Sequence, residues 1–114
     1  MKQTSDRPTA TIQAVGANKD EKGRFLVSGT LSFDTVPDLM IQAKRLFASV
    51  DTVVVDLSGV GSCNSAGLAV VLEMARLMRK QHKTICFREI PEQIHTFARA
   101  YSVDKELTQA GLLC

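Results

Sequence analysis

Two serines, Ser62 and Ser65, stand in a run of small residues, SGVGSCNSAG (58–67), and are the chain's candidate nucleophiles. A serine of this kind needs a base within hydrogen-bond reach, and only His82 and His95 are available to supply one. The context Ser-Cys-Asn-Ser-Ala-Gly is not the G-x-S-x-G elbow of serine hydrolases, and each lone histidine reads as a solvated side chain. Asp34 and Asp56 are placed at neighbouring strand ends, where carboxylates more often cap and solvate than exchange protons. Gly59, Gly61 and Gly67 lead to no Lys-Ser/Thr ending of a phosphate-binding loop. Cys63, beside the start of a helix, would gain some stabilisation as a thiolate; a small packed thiol is the simpler role. No catalytic residue, metal site or cofactor is expected. The chemistry these residues suit is recognition. A small neutral surface at a helix N-terminus offers free N–H groups and a hydroxyl that a partner can cover closely. A phosphate on Ser65 would suit the helix dipole and repel an acidic partner.

The elements that position this run are legible on either side of it. Val53, Val54 and Val55 form a β-branched strand, closed by Asp56 and expected to stop near Leu57, of the kind covered on both faces. Residues 58–67 then read as a tight surface loop, its glycines permitting close approaches. Leu68, Val71, Leu72, Ala75 and Met78, with Val70, Met74 and Leu77, predict a mostly buried helix. Glu73, Arg76, Arg79 and Lys80 keep a narrow solvent stripe, and Asn64 or Ser65 caps the helix.

Around this centre, residues 1–8 are polar and predict a flexible start, and residues 9–114 form a single domain. Ala10, Ile12 and Ala14 alternate with Thr9, Thr11 and Gln13 as a half-exposed strand, returning through the charged turn 18–23 into the strand 24–31. Gly29 inside that second strand predicts a bulge or a close neighbour. Asp34 or Thr35 caps a helix with Pro37 in its first turn and Val36, Leu39, Met40, Ala43, Leu46 and Phe47 at helical spacing. A strand at 84–87, a helix opened by Pro91 with Ile94, Phe97, Ala98 and Tyr101 on its apolar face, and a helical turn at 104–109 complete the chain. The result is an α/β fold: a mixed four-stranded sheet, an antiparallel hairpin followed by parallel strands, with the helices mainly on one face.

Composition narrows the partners. With 114 residues and 45% hydrophobic content the chain can bury a real core. Its 14 basic and 12 acidic residues are too balanced for a nucleic-acid arm or a polybasic membrane patch, and with five Phe, one Tyr and no Trp it lacks base-stacking platforms. No apolar run approaches the ~18–20 residues that span a bilayer, and MKQTSDRPTATIQ lacks the apolar core of a secretion signal, so a cytoplasmic location is expected. Cys63, Cys86 and Cys114 have no C-x-x-C spacing, which argues against a disulfide framework or a zinc site. Cys86 reads as strand core and Cys114 as a loose terminus.

The stretch DLSGVGSCNSAGLAVVLEMARL resembles the strand, loop and helix signature of the STAS domains, named from sulfate transporters and anti-sigma factor antagonists. Asp56-Leu57-Ser58 is similar to the family's Asp-Leu-Ser, and Ser65-Ala66-Gly67-Leu68 to its (Ser/Thr)-x-Gly-Leu turn; Asn64 stands where Asp is usual. The resemblance implies that Ser65 matches the residue that a partner kinase phosphorylates in anti-sigma antagonists. FLVSGTLSFDTVPDLM and HTFARAYSVDKEL further resemble the small STAS subunit of Mla-type phospholipid-transport ABC systems. That branch implies a non-enzymatic subunit, cytoplasmic and peripheral to the inner membrane through its complex. It would bind and regulate or stabilise the transporter's ATPase in a complex with permease and lipid-binding subunits, maintaining outer-membrane lipid asymmetry. Asn64, Ser65 and Ala66 at the central turn, with Gln93, Thr96, Arg99 and Ala100 on the third helix, become the implied partner-binding residues. The alternative is an anti-sigma factor antagonist, its kinase partner controlled through phosphorylation of Ser65.

Overall fold

A computed structural model describes residues 8–16, 23–108 and 111–114. The elements follow in the expected order: β1 Ala10–Ala14, β2 Arg24–Leu31, α1 Val36–Phe47, β3 Thr52–Cys63, α2 Ser65–Lys80, β4 Thr84–Arg88, α3 Glu92–Ala100 and α4 Asp104–Thr108. The strands lie side by side as β1-β2-β3-β4, with β1 antiparallel to β2 and both later pairs parallel. Residues 18–22 of the expected charged turn and residues 1–7 lie outside the described residues, as does Gln109.

Strand alternation shows where the core sits. Phe25, Val27 and Leu31 of β2, Val53, Val55 and Leu57 of β3, and Ile85 and Phe87 of β4 are buried. They join one apolar cluster with Leu39, Ala43 and Phe47 of α1, Leu68, Val71, Met74 and Met78 of α2, Ile94 and Ala98 of α3, and Leu107 of α4. The alternating residues Leu26, Val54, Asp56 and Cys86 are half-exposed. The Val53–Val55 run is therefore covered on one face, not on both as its composition suggested. Both crossover helices, α1 and α2, pack on the same side, so parallel pairing does not bury the other face.

Helix ends are tied by named groups. Thr35 stands at the N-cap of α1, but its hydroxyl donates to the Thr30 carbonyl at 2.7 Å and accepts from the Ser32 N–H at 3.0 Å instead of capping the helix. At the other end, Lys83 Nζ donates to the Phe47 and Ala48 carbonyls, satisfying acceptors that the helix leaves open. Among the described residues no helix is long and apolar enough to cross a membrane.

One sequence expectation is overturned by the cysteines. Cys86 and Cys114 form a disulfide, with Cα atoms 5.1 Å apart and a sequence separation of 28. Cys86 lies on the open sheet face because Ile85 and Phe87 take the core side, and residues 111–114 return to the outer edge of β4. Spacing rules for frameworks and metal sites register neither event, since both arise from how the chain folds back after α4.

Candidate partner-binding site

The run 58–67 is not a loop. β3 continues through Ser58 to Cys63 beside β2, and Asn64 alone connects it to α2. Small residues are required because the two strands pair irregularly. Leu26 pairs with Asp56 and Leu31 with Cys63, so β3 carries two more residues than β2 over this stretch, absorbed at shifts after Leu26 and Gly29. At Gly59 a Cβ would lie 2.7 Å from the Val27 carbonyl oxygen, so glycine is what lets the bulged strand approach β2. Gly29, at φ +102°, lies beside the Thr9 carbonyl, which accepts from Thr30 N–H at 2.8 Å; this is the bulge with a close neighbour that its position predicted. Paired glycines and serines thus form an extended edge where a composition reading finds a loop.

Asn64 is held on three sides. Its N–H donates to the Leu31 carbonyl at 3.0 Å, its Oδ1 accepts from Ala66 N–H at 2.8 Å, and its carbonyl accepts from Gly67 N–H at 2.9 Å. Asn64, not Ser65, is therefore the cap of α2. Ser65 occupies the first helical position and is half-buried, while Asn64 and Ser62 are exposed. No acidic residue lies in the first turn of α2, so its positive dipole end is not neutralised by its own helix. Ala66 is only 1% exposed and presents no side-chain surface to a partner, which corrects its assignment as a contact residue. The cause is the helix turn, which swings Ala66 inward once Asn64 caps.

The third helix borders this end of α2. Beside Gly67, a Cβ would touch Cys63 Cβ at 3.2 Å and Ile94 Cδ1 at 3.4 Å, so α2 and α3 approach where only glycine leaves room. Burial pushes the Cys63 thiol up from its ordinary pKa, which favours the packed-thiol role over a thiolate. Gln93, Thr96, Arg99 and Ala100 are exposed on α3. Arg99 lies 3.5 Å from the Glu92 carboxylate and donates to Thr96 Oγ1, and Thr96 in turn donates to the Glu92 carbonyl. A shallow groove of about 350 Å³ runs along Glu92, Gln93, Thr96 and Phe97. Tyr101, expected on the apolar face, follows the helix end and is exposed.

Sequence reasoning passed over Phe33. It is 67% exposed, two residues beyond Leu31, whose partner Cys63 immediately precedes Asn64. The Ser32-to-Thr35 turn, closed by Thr35 N–H to the Ser32 carbonyl at 3.1 Å, turns its ring outward. Its signal was a lone aromatic residue within the polar sequence Ser-Phe-Asp-Thr.

The candidate catalytic groups are not assembled. His82 follows α2, a helix of 16 residues or about 24 Å, at the end opposite Ser65. Among the described residues neither histidine hydrogen-bonds to Ser62 or Ser65; Ser62 Oγ instead lies 3.3 Å from Thr30 Oγ1. Asp56 lies within β3 opposite Leu26, whereas Asp34 follows Leu31, about 16 Å or more along β2. The Ser58 N–H, 2.8 Å from Asp56 Oδ1, holds that carboxyl below its ordinary range. The Ser58 hydroxyl, Arg88 and Arg24 add to this, against partial burial.

An antiparallel strand pair leading into parallel strands, with helices on one face and a tight β3–α2 junction, defines the class. The chain belongs to the STAS family: the family model described as "Mlab, STAS domain" matches residues 16–113. Among solved structures the fold is similar to the anti-sigma factor antagonist SpoIIAA in its unphosphorylated form. The TM-score is 0.60 at 11% identity, over 82% of this chain and 83% of that one. No curated protein sequence matches the chain significantly.

Proposed function

We propose that this STAS domain is the non-enzymatic subunit of a phospholipid-transporting ABC system, binding the transporter's ATPase through the β3–α2 junction and α3. The observation that carries the reading is the neutral junction itself: Asn64 caps α2 without a carboxylate, beside half-buried Ser65. An uncharged cap is less costly to desolvate under a lasting partner than the usual Asp. The description of the family model and the exposed Gln93, Thr96 and Arg99 on the neighbouring helix support the same reading. In it the domain lies on the cytoplasmic side, peripheral to the inner membrane through permease and lipid-binding subunits.

Likeness to SpoIIAA supports a second reading, an anti-sigma factor antagonist released from its kinase when Ser65 is phosphorylated. At the first position of α2 a phosphate would be favoured by the dipole. Affinity purification of the tagged chain, with intact-mass measurement, separates the two. Co-purification with an ABC ATPase, without a phosphate adduct, is expected. Ser65→Glu is expected to keep its melting temperature within a few degrees, lose the ATPase and lower that complex's turnover, because a buried unpaired charge opposes association. An anti-sigma kinase in the eluate with phosphate on Ser65 would replace the first reading by the second. Unchanged association of a folded Ser65→Glu would remove the junction from the interface.

A further inference from the structure

Residues 111–114 are attached to the sheet by few groups. Phe87 N–H donates to the Leu112 carbonyl at 2.7 Å, Cys114 N–H donates to the Phe87 carbonyl at 3.0 Å, and Leu113 bridges Phe87 in parallel fashion. Leu112 is buried in the common core, while Leu113 and Cys114 are exposed. Among the described residues, two backbone bonds and one leucine hold this segment to the sheet, the kind of attachment that opens locally without unfolding the domain. The link that adds to them is the Cys86–Cys114 disulfide.

That disulfide is reachable. Cys114 is exposed and Cys86 half-exposed, and Cys86 points away from the core because its neighbours Ile85 and Phe87 occupy the helix-covered face. The bond can break without moving a core side chain. An accessible disulfide exchanges with thiols far more readily than one sealed inside a domain.

We infer that Cys86 and Cys114 form a thiol–disulfide exchange site that locks and releases residues 111–114 on the outer edge of β4. Its reactants are a low-molecular-weight thiol and the corresponding disulfide. In the opening direction a thiolate of the small thiol attacks the sulfur of Cys114, the more exposed residue of the pair. The protein S–S bond breaks, a mixed disulfide forms at Cys114, and the electron pair leaves with Cys86 as thiolate, which takes a proton from water. A second small thiolate attacks the sulfur of its own kind in the mixed disulfide, giving the small disulfide and the Cys114 thiolate, which is protonated in turn. Two small thiols are oxidised and one protein disulfide is reduced; locking is the reverse. Release returns the Phe87 N–H and carbonyl to water and opens the cleft of about 470 Å³ that Leu112 lines with Ala75, Arg79, Lys83 and Ile85. An unpaired strand edge is then presented at β4.

The test uses the full chain carrying Cys63→Ser, equilibrated in glutathione buffers from fully reduced to fully oxidised. Alkylation with mass spectrometry reads the thiol state, and hydrogen exchange reads the Phe87 and Cys114 amides. The pair is expected to switch within the series, with those amides exchanging at least about tenfold faster when reduced and α2 unchanged. Cys114→Ser is expected to exchange like the reduced form in every buffer. The inference is overturned if the pair stays oxidised in reduced glutathione or remains two thiols in oxidised glutathione. It is equally overturned if switching leaves exchange at both amides unaltered.

Discussion

Asn64 and its neighbour Ser65 divide two jobs that the sequence left open between them. The amide oxygen of Asn64 receives the Ala66 N–H, so the cap belongs to Asn64, and the Ser65 hydroxyl is not used as the cap. Asn64→Ala is expected to cost about 1 kcal/mol in urea unfolding. Ser65→Ala is expected to stay within about 0.5 kcal/mol, since it removes no cap. If Ser65→Ala proves the costlier change, the cap is misassigned. Asn64→Asp, by adding charge at a dipole end, is expected to retain stability yet weaken association with the partner. Asp56 gives a pH-dependent counterpart. Its folded pKa is lowered, chiefly by the Ser58 N–H, so its contribution is fully present above the ordinary carboxyl pKa and is lost as pH falls through the folded value. The stability gap between wild type and Asp56→Ala is therefore expected to shrink as pH falls from 5 toward 2, on the order of the reference carboxyl range. A gap independent of pH would exclude this assignment.

Among the elements, helices were legible because side chains such as Leu39, Ala43 and Phe47 recur on one face, and the helix period survives any tertiary context. The strand 58–63 was not legible. Composition rich in glycine and serine marks turns, and nothing local reveals that β2 stands alongside to pair with it. The Cys86–Cys114 link was hidden for the same reason, its two ends meeting through the return of the chain after α4. At the site, the Ser65 turn was read from a motif that the chain still carries, whereas Phe33 has no periodicity to announce it and Ala66 required the helix phase. The irregular pairing can be probed through two glycines. Gly59→Ala places a methyl against the Val27 backbone and is expected to destabilise by about 1–3 kcal/mol. At Gly61 the nearest neighbour of a Cβ is 4.0 Å away, so Gly61→Ala is expected to stay within about 0.5 kcal/mol. Equal effects in denaturant unfolding would mean that the close approach at Gly59 does not shape the strand.

Across the whole molecule, two connections and a helix converge on one edge: the β2–α1 turn with Phe33, the β3–α2 junction with Asn64 and Ser65, and α3 behind Gly67. Their proximity follows from pairing, since Leu31 lies opposite Cys63 and Asn64 N–H bonds to the Leu31 carbonyl. Phe33 is two residues past one member of that pair and Ser65 two past the other, so both follow the same end of the paired strands. An exposed phenylalanine contributes little to folding, but a partner that covers it gains about 1.5–3 kcal/mol of apolar burial. Tight interfaces concentrate their energy in a few large side chains that the partner covers completely. Phe33→Ser is expected to leave thermal unfolding unchanged within a few degrees, because the ring is outside the core. Under the proposed function, the same variant is expected to lower affinity for the ATPase by roughly ten- to a hundredfold, the binding equivalent of that burial. Wild-type affinity in a folded Phe33→Ser protein would confine the interface to the Ser65 junction and α3, leaving the β2–α1 turn outside it.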